Sequence, residues 1–282
     1  MRFHLLVNLY RADAIEAAKI AAASLIDRGV QVFADELSAK LVGIPTATNE
    51  DFGNCDLVIS FGGDGTLLNA AQRCGERHTP ILGVHYGKFG FVTQCQPSEL
   101  GAALSMFVDG NSTLEERMMV QATLVRSGET IAEFHALNEA VVQRAATTRM
   151  LEFEIFVDNQ FLTQYPADGI IVSTPTGSTA YNLSAGGPIV DPKLEVILLS
   201  AITPHTLSAR PLVFGSNSTI EIRVETRGDA ILSCDGHDRV EMFSGDRVIV
   251  TKSDRTIRLV QVDDQDFLNK VTNLLLGGGS ST

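Results

Sequence analysis

The sequence predicts an α/β protein in two parts, an α/β domain followed by a β-rich domain. Over residues 1–100, short apolar runs typical of buried strands alternate with helical patterns, which predicts a parallel sheet with helices on its faces. From Met119 onward, short β-type runs separated by Gly, Asn or Asp predominate. The chain has 282 residues, 44% of them hydrophobic and 20% charged, so it is long enough to bury a core in each part.

The alternation in the first domain, placed at residues 1–100, can be followed element by element. Ala14–Ile26 carries its apolar residues on one helical face, and Gly29 ends that helix as glycine commonly does. A strand at Leu57–Phe61 runs directly into a glycine-rich turn, after which Thr66–Arg73 has a helical pattern. Further strands are predicted at Phe3–Val7, Val30–Phe33 and Ile81–Val84.

The second domain, placed at residues 101–263, has the turn spacing of an antiparallel β structure. An acidic run precedes a last helical stretch, Phe267–Leu276, and the Gly/Ser-rich tail 277–282 is expected to be flexible. The strands predicted for this domain are Val120–Val125, Ile131–Ala136, Leu151–Val157, Ile220–Val224, Ala230–Cys234, Arg247–Thr251 and Thr256–Val260.

Charge and cysteine content narrow the class of protein. The net charge of −12 argues against nucleic acid or an anionic membrane as the main partner, although backbone N–H groups can still hold small anions. No signal peptide and no apolar stretch long enough to span a bilayer are recognised, so a cytoplasmic protein is expected. The cysteines, which form no CxxC pair and are expected to be reduced, are Cys55, Cys74, Cys95 and Cys234.

The sharpest local signal is a phosphate-loop pattern, Gly62-Gly63-Asp64-Gly65-Thr66, which follows a buried strand and precedes a helix. Glycine admits positive φ and lets a phosphate approach closely, and the helix offers free N–H groups. Asp64 is the one charged group of the turn and is expected at the sheet edge where ligands bind. An ordinary tight turn with Asp64 as N-cap is the alternative. Neither a Walker loop nor a dinucleotide fingerprint is present.

Two other strings are polar where a core strand would be apolar. The stretch from Asp168 to Pro188 holds seven hydroxyl residues within Ser173–Ser184, which favours a structured small-molecule cradle over a solvent-exposed Ser/Thr loop. Asn138 and Glu139 interrupt a β run; they match the donors and acceptors of a ribose diol, but the pair alone favours a β-bulge or turn.

Taken together, these strings resemble the NAD kinase family over almost the whole chain. The matching stretches, in chain order, are FGGDGTLL, GVHYGKFGFVT, LNEAVVQR, DGIIVSTPTGSTAYNLSAGGPIV, ITPHTLSARPLV and SCDGH. GGDGT alone is shared with lipid and sugar kinases, whereas the long TPTGSTAY string is specific. The resemblance implies a Rossmann-like N-terminal domain, a β-sandwich-like C-terminal domain and a C-terminal helix, at 264–276, that returns to the first domain. It also implies NAD bound between the domains and a homodimer or homotetramer.

The resemblance further implies roles for individual residues. Asp64 matches the family's general base for the ribose hydroxyl, and Gly65 belongs to the same site. Asn138 and Glu139 match the pair that binds a ribose of NAD. The other positions that match nucleotide contacts, some of them contributed by a neighbouring subunit, are Phe91 near the adenine, Asp168, Thr179, Ala180, Tyr181, Asn182, Leu183, Ser184 and His237.

The sequence also departs from the family pattern. His85-Tyr86 stands where many bacterial members have Asn-Arg, which removes a positive charge near the phosphates. Arg149 falls at a position that often contacts ligand, although basic residues there vary. Lys88 and His85 are expected to be solvated and structural, respectively.

The chemistry implied is ATP-dependent phosphorylation of the 2′-hydroxyl of the adenosine ribose of NAD, giving NADP. Mg²⁺ is expected to enter bound to ATP, because the sequence shows no dedicated protein metal cage. Asp64 could serve as the base or as a magnesium ligand. The rival functions are a lipid or sugar kinase built on the same glycine loop and a non-catalytic NAD(P)-sensing protein.

Overall fold

The computed structural model describes residues 1–48, 51, 54–86, 90–145, 151–225, 230–262 and 266–276. Two compact units are present, one formed by Met1–Glu116 with Ile257–Thr282 and the other by Arg117–Thr256. The predicted boundaries were residues 100 and 263. The first unit extends beyond residue 100 because an unpredicted helix, Leu100–Val108, belongs to its core. Within the described residues, no helix is long and apolar enough to cross a membrane.

The first unit is built on a parallel sheet. Its strands run in the order β2-β1-β3-β4, and the last strand of the chain, β16 (Arg247–Gln261), pairs in parallel with β4 through Leu259 and Ile81. The strands are β1 (Arg2–Val7), β2 (Gln31–Ala34), β3 (Leu57–Gly62) and β4 (Ile81–His85). The helices are α1 (Ala12–Asp27), α2 (Glu36–Val42), α3 (Asp64–Cys74), α4 (Leu100–Val108) and, at the end of the chain, α6 (Asp266–Leu275).

Apolar residues explain why this sheet forms. All six residues of β3 are buried, as expected for a strand covered on both faces. Ala14, Ala18 and Leu25 bring α1 onto the sheet, and Leu104 does the same for α4. Helix α6 is part of this unit, whereas the predicted tail 277–282 lies outside the described residues.

The second unit contains two antiparallel β layers around one apolar core. One sheet has the order β12-β11-β10-β7-β14-β15; in the other layer β16 pairs with β13, which pairs with β8, which pairs with β9, while β5 and β6 form a hairpin. Val172 and Leu232 of the first sheet share a buried cluster with Phe153 and Ile222 of the second layer. The fold class predicted from the sequence is therefore confirmed.

The strand bounds of the second unit complete the description. They are β5 (Thr113–Arg126), β6 (Glu129–Ala136), β7 (Glu139–Arg144), β8 (Leu151–Val157), β9 (Gln160–Ala167), β10 (Gly169–Ser173), β11 (Val196–Ile202), β12 (Leu212–Gly215), β13 (Ile220–Glu225), β14 (Ala230–Cys234), β15 (Asp238–Met242) and β16 (Arg247–Gln261). Two short helical turns follow β10, namely a 3₁₀ turn at Thr176–Thr179 and α5 (Tyr181–Ser184). The two strands predicted at Arg247–Thr251 and Thr256–Val260 are one continuous strand, β16.

Candidate active site

The predicted phosphate loop leaves β3 at the carboxyl edge of the parallel sheet. Gly62 at the end of β3 pairs with His85 at the end of β4. The phosphate loop and a second glycine-rich string, GVHYGKFGFVT at residues 83–93, therefore lie side by side at this edge. The N-terminus of α3 follows at once, and its N-cap is Gly63 rather than Asp64. The alternative interpretation of Asp64 as the N-cap is therefore wrong, because Asp64 already has a place in the first turn of the helix.

Two different physical reasons explain why glycine occurs at the positions of this loop. A Cβ on Gly62 would lie 2.2 Å from Thr66 Oγ1, so the fold itself requires glycine there. Apart from its own stretch of chain, a Cβ on Gly63 or Gly65 would meet no atom of the described residues within 4 Å. None of the three has positive φ, contrary to the conformational argument from the sequence. The open space beside Gly63 and Gly65 is suited to a close-approaching phosphate.

Asp64 is held by the backbone of the second glycine-rich string. Its Oδ2 accepts the N–H of Phe91 at 2.9 Å, and its Oδ1 accepts those of Thr93 at 3.0 Å and Val92 at 3.3 Å. A carboxylate has about four lone-pair positions. Among the described residues, one position on Oδ2 therefore remains for a further donor. Gly90 makes this approach possible, because a Cβ there would lie 2.2 Å from Asp64 Oδ1.

The structure describes only part of the second glycine-rich string. Phe91 is half-buried, and its N–H donates to Asp64 at this edge of the sheet. His85 is buried, as expected for a structural histidine. Gly87 and Lys88 lie outside the described residues.

The sequence did not single out Arg11, a cation that lies beside Tyr86. Tyr86 is the position at which many bacterial members of the family have arginine. The Arg11 guanidinium lies 5.7 Å from the centre of the Tyr86 ring, and one of its NH groups donates to the Tyr86 carbonyl at 3.1 Å. The other side of the guanidinium pairs with Asp13. Arg11 follows the carboxyl end of β1, which pairs with β3. Because ligands bind at the carboxyl ends of parallel strands, this position in the sequence was the signal that could have identified Arg11.

In the second unit, Asn138 and Glu139 lie at the start of β7, and Asp235 in the turn after β14 holds their backbone. The Asp235 carboxylate accepts the N–H groups of Leu137 and Asn138 at 2.8 Å and that of Glu139 at 3.1 Å. Asn138 Oδ1 and Glu139 Oε2 are buried and have no hydrogen-bond partner among the described residues. Two adjacent unpartnered acceptors are what a ligand with hydroxyl donors would satisfy.

Burial makes Glu139 an unusual carboxyl group. Its removal from water, reinforced by the neighbouring Asp235 carboxylate, raises its pKa to about 8, although the backbone N–H of Tyr181 donates to it. Burial also raises the pKa of Asp235, against the opposing effect of the three N–H groups it accepts. Strongly perturbed carboxyls of this kind are typical of functional sites. Asp235 was not among the residues singled out from the sequence; its position beside His237 in SCDGH was the available signal.

The TPTGST segment packs against the same backbone. Thr174 donates from N to Asn138 O at 2.8 Å and from Oγ1 to Leu137 O at 2.5 Å. A Cβ on Gly177 would lie 2.2 Å from Asn138 O, so this contact requires glycine. The hydroxyl-rich segment is thus a structured turn, with residues 171–178 buried, rather than a solvated loop.

The residues that follow this turn divide into structural and accessible members. Asn182 is fully buried: its Nδ2 donates to Ser178 O and Pro188 O, and its Oδ1 accepts the Ser200 hydroxyl at 2.7 Å. Its amide therefore holds the turn together. The predicted contact residues that reach the surface at least in part are Thr179, Ala180, Tyr181, Leu183, Ser184 and, in the turn after β14, His237.

Asp168 is separated from this cluster. It precedes β10 and forms an ion pair with Arg144, whose Nε lies 3.1 Å from Oδ1. Along the paired strands β7 and β10, Ser173 faces Glu139 while Gly169 faces Gln143. Asp168 therefore lies at the opposite end of this strand pair, five residues from Ser173, or roughly 16 Å away at about 3.3 Å per residue. Arg149 lies outside the described residues.

Comparison with known proteins identifies the family. The family model for the ATP-NAD kinase N-terminal domain matches residues 3–112, and that for the ATP-NAD kinase C-terminal domain matches residues 137–262. An NAD kinase of Pseudomonas savastanoi pv. phaseolicola is 41% identical over 262 residues, covering 91% of this chain and 88% of its own. One from Desulforamulus reducens is 37% identical over 267 residues, covering 93% of each chain.

Solved structures agree. The crystal structure of a yeast NADH kinase complexed with NADH superposes with a TM-score of 0.92 at 26% identity, covering 100% of this chain and 89% of the yeast chain. An NAD kinase from Archaeoglobus fulgidus in complex with ATP gives a TM-score of 0.78 at 27% identity, covering 98% and 99% of the two chains. On the strength of both domain models and of relatives that match nearly end to end, the chain belongs to the NAD kinase family.

Proposed function

We propose that the protein is an NAD kinase that transfers the γ-phosphate of ATP to the 2′-hydroxyl of the adenosine ribose of NAD, giving NADP. The observation that carries this is the geometry of Asp64, a carboxylate fixed by three backbone N–H groups beside two glycines with open space around them. Phosphoryl transfer depends mainly on positioning and charge stabilisation, which this arrangement can supply.

The step proposed is an in-line displacement. The 2′-oxygen bonds to the γ-phosphorus, the bond from that phosphorus to the bridging oxygen breaks, and ADP leaves. The free lone pair on Asp64 Oδ2 accepts the hydroxyl proton. The N–H groups at the start of α3, next to Gly63 and Gly65, bind phosphate oxygens. Mg²⁺ enters with ATP as part of the substrate, and it neutralises phosphate charge.

The second unit supplies recognition of NAD. Asn138 Oδ1 and Glu139 Oε2 accept hydrogen bonds from a ribose diol, because both are buried acceptors that the described residues leave unsatisfied. Asn182 acts through the turn it holds. The remaining residues proposed to contact the nucleotide are Phe91, Arg149, Asp168, Thr179, Ala180, Tyr181, Leu183, Ser184 and His237.

We also propose a homodimer or homotetramer in the cytoplasm. The position of Asp168, at the far end of the strands from Glu139, supports a role toward the ligand of a neighbouring copy. Mixing inactive Glu139→Ala chains with inactive Asp168→Asn chains should then restore activity, since some mixed sites carry neither change. Light scattering of the same mixtures gives the oligomeric state, and a mixture that stays inactive would argue that both residues act within one chain.

A substrate panel tests the function against its rivals. The purified protein is supplied with Mg-ATP and, in separate reactions, NAD, NADH, a diacylglycerol, a sphingoid base or a hexose phosphate, and ADP release is measured. We expect ADP release with the dinucleotides alone. Release with a lipid or sugar and none with NAD would support the other kinases that share the glycine loop, and binding of NAD without turnover would support a sensing protein.

A further inference from the structure

One lysine of the C-terminal helix lies beneath the loop that holds Asp64. Within residues 267–276, Lys270 is the one buried side chain, with 4% exposure, whereas Leu268 and Leu275 are 66% and 74% exposed. Burying an ammonium group is costly unless it is well hydrogen-bonded. An amphipathic helix would normally bury its leucines first, so a specific demand at this position must favour the lysine.

The contacts of Lys270 show what that demand is. Its Nζ donates to the carbonyl oxygen of Thr93 at 2.7 Å and to that of Phe91 at 3.3 Å. The carbonyl of Phe91 and the N–H of Val92 belong to a single peptide group, and that N–H donates to Asp64 Oδ1 at 3.3 Å. One peptide group therefore connects the ammonium to the carboxylate. A cation on the carbonyl strengthens the hydrogen bond made by the N–H at its other end.

The next peptide group is fixed in the same way by a neutral side chain. The amide of Gln94 donates from Nε2 to the carbonyl of Val92, while its Oε1 accepts the N–H of Gly83 in β4 at 2.8 Å. The N–H of that peptide belongs to Thr93 and donates to Asp64 Oδ1 at 3.0 Å. Gln94 thus ties the loop to the sheet, and Lys270 ties it to the end of the chain. Lys270 alone adds charge.

We propose that Lys270 is a positioning residue for phosphoryl transfer, because its ammonium fixes and polarises the Phe91–Thr93 backbone that aims the Asp64 carboxylate. The inference rests on the proposed role of Asp64 as the group that accepts the hydroxyl proton. It gives α6 a positioning role that is exerted through the backbone of residues 91–93. Misplacing a reacting group by about 1 Å costs on the order of a hundredfold in rate, so loss of this support should appear mainly in kcat.

The first arm of the test measures the loop without using activity. Lys270→Met removes the charge at similar length, Lys270→Arg keeps it, and Leu275→Ala is the matched control on an exposed position of the same helix. Hydrogen exchange of the amides of residues 91–93 is followed by mass spectrometry, beside a melting curve for each variant. We expect faster exchange in Lys270→Met and unchanged exchange in the control. If Lys270→Met does not fold, Lys270→Gln, which keeps a donor, takes its place.

The second arm measures the link to Asp64. Lys270→Met should lower kcat by about tenfold to a hundredfold while the KM for NAD changes by less than about threefold, and Lys270→Arg should recover part of the loss. In an Asp64→Asn background, Lys270→Met should cause no further fall, since its effect passes through that carboxylate. Equal losses in both backgrounds, or a normal kcat in Lys270→Met, would overturn the inference while leaving the proposed function standing. Near-normal turnover of Asp64→Asn alone would instead overturn the proposed role of Asp64 as proton acceptor, and the inference with it, while the NAD kinase activity would remain.

Discussion

At the scale of single residues, two carboxyl groups of this protein meet opposite surroundings. Asp64 is partly exposed and accepts three backbone N–H groups. Glu139 is 7% exposed, keeps one oxygen without a partner and lies beside a second carboxylate, that of Asp235. The first environment fixes a group in position, and the second leaves a buried polar atom without a partner among the described residues. Their substitutions should therefore fail in different ways.

Asp64→Asn should lower kcat by about two to four orders of magnitude, the loss typical for removal of a general base. The affinity for NAD should remain similar, because the proposed ribose contacts lie elsewhere. The amide would also point an NH₂ group or a weaker acceptor at the N–H groups of the loop, so a melting curve must accompany the kinetics. Normal turnover in a folded variant would show that Asp64 is not the base.

Glu139→Gln should raise the KM for NAD and leave that for ATP nearly unchanged. The amide keeps the shape of the side chain but weakens acceptance from a buried hydroxyl, which costs about 1–3 kcal/mol of binding, or roughly fivefold to 150-fold in KM. Steady-state kinetics with NAD and with ATP varied separately measure this. An unchanged KM with an altered melting temperature would mean that the Asn138–Glu139 pair is a structural turn.

The raised pKa of Glu139 also predicts how stability depends on pH. The folded-state pKa of about 8 lies above the ordinary value of 4.5, so the protonated form is favoured by folding. The contribution of Glu139 to the free energy of unfolding is fully present below pH 4.5 and is lost as the pH rises through about 8.

Glutamine at position 139 cannot ionise, so the difference in stability between wild type and Glu139→Gln should shift toward the variant as the pH rises. Urea unfolding between about pH 5 and 9 measures this, with Glu152→Gln on the exposed face of β8 as the control. A difference that stays constant across this range would contradict the proposed burial of an ionisable Glu139.

At the scale of elements, the turns after β3 and β10 show what glycine is for at each position. Gly62→Ala should lower the free energy of unfolding by about 1–3 kcal/mol, because its Cβ would lie 2.2 Å from Thr66 Oγ1. Gly65→Ala meets no such contact and should fold normally, but its methyl group fills space proposed for a phosphate, so the KM for ATP should rise. Melting curves and ATP kinetics on both variants separate the two roles. A normal KM for ATP in Gly65→Ala would contradict the proposal that a phosphate of ATP binds at this loop.

Gly177→Ala tests the contact between the TPTGST turn and β7. Its Cβ would lie 2.2 Å from the carbonyl oxygen of Asn138, so the backbone that presents Asn138 and Glu139 must shift. We expect a KM for NAD at least about tenfold higher and a lower melting temperature. Gly101→Ala, in an open position on α4, is the control and should change neither. A normal KM for NAD in Gly177→Ala would mean that this turn does not shape the NAD site.

The sequence predicted elements wherever apolar periodicity was strong. β3, β8 and β14 were located closely because their side chains are buried in a regular pattern. Helix α4 was missed because it is short and apolar without a clear polar face. The continuous strand β16 was divided in two because Lys252, Asp254 and Arg255 interrupt its pattern, although the strand backbone pairs regardless of those side chains.

At the scale of the whole molecule, the sequence predicted two kinds of fold in one chain and several polar strings, but not how those strings are held. Asp235 and Lys270 act through backbone groups remote in sequence, which no local pattern reveals. Asp168 was grouped with the cluster that follows it, yet strand direction carries it to the opposite end of β10. Local motifs identify the chemistry of a site, whereas tertiary register decides which motifs meet.

Formation of NADP from NAD and Mg-ATP by the purified protein is the measurement that tests the central claim most directly. The product is separated and its phosphate located by phosphorus NMR, with Asp64→Asn treated in parallel as the blank. We predict a 2′-phosphate on the adenosine ribose, formed in equal amount with ADP and almost absent with the variant. A phosphate at another position, or no phosphorylated dinucleotide from a folded wild-type protein, would contradict the assignment of this chain as an enzyme that makes NADP.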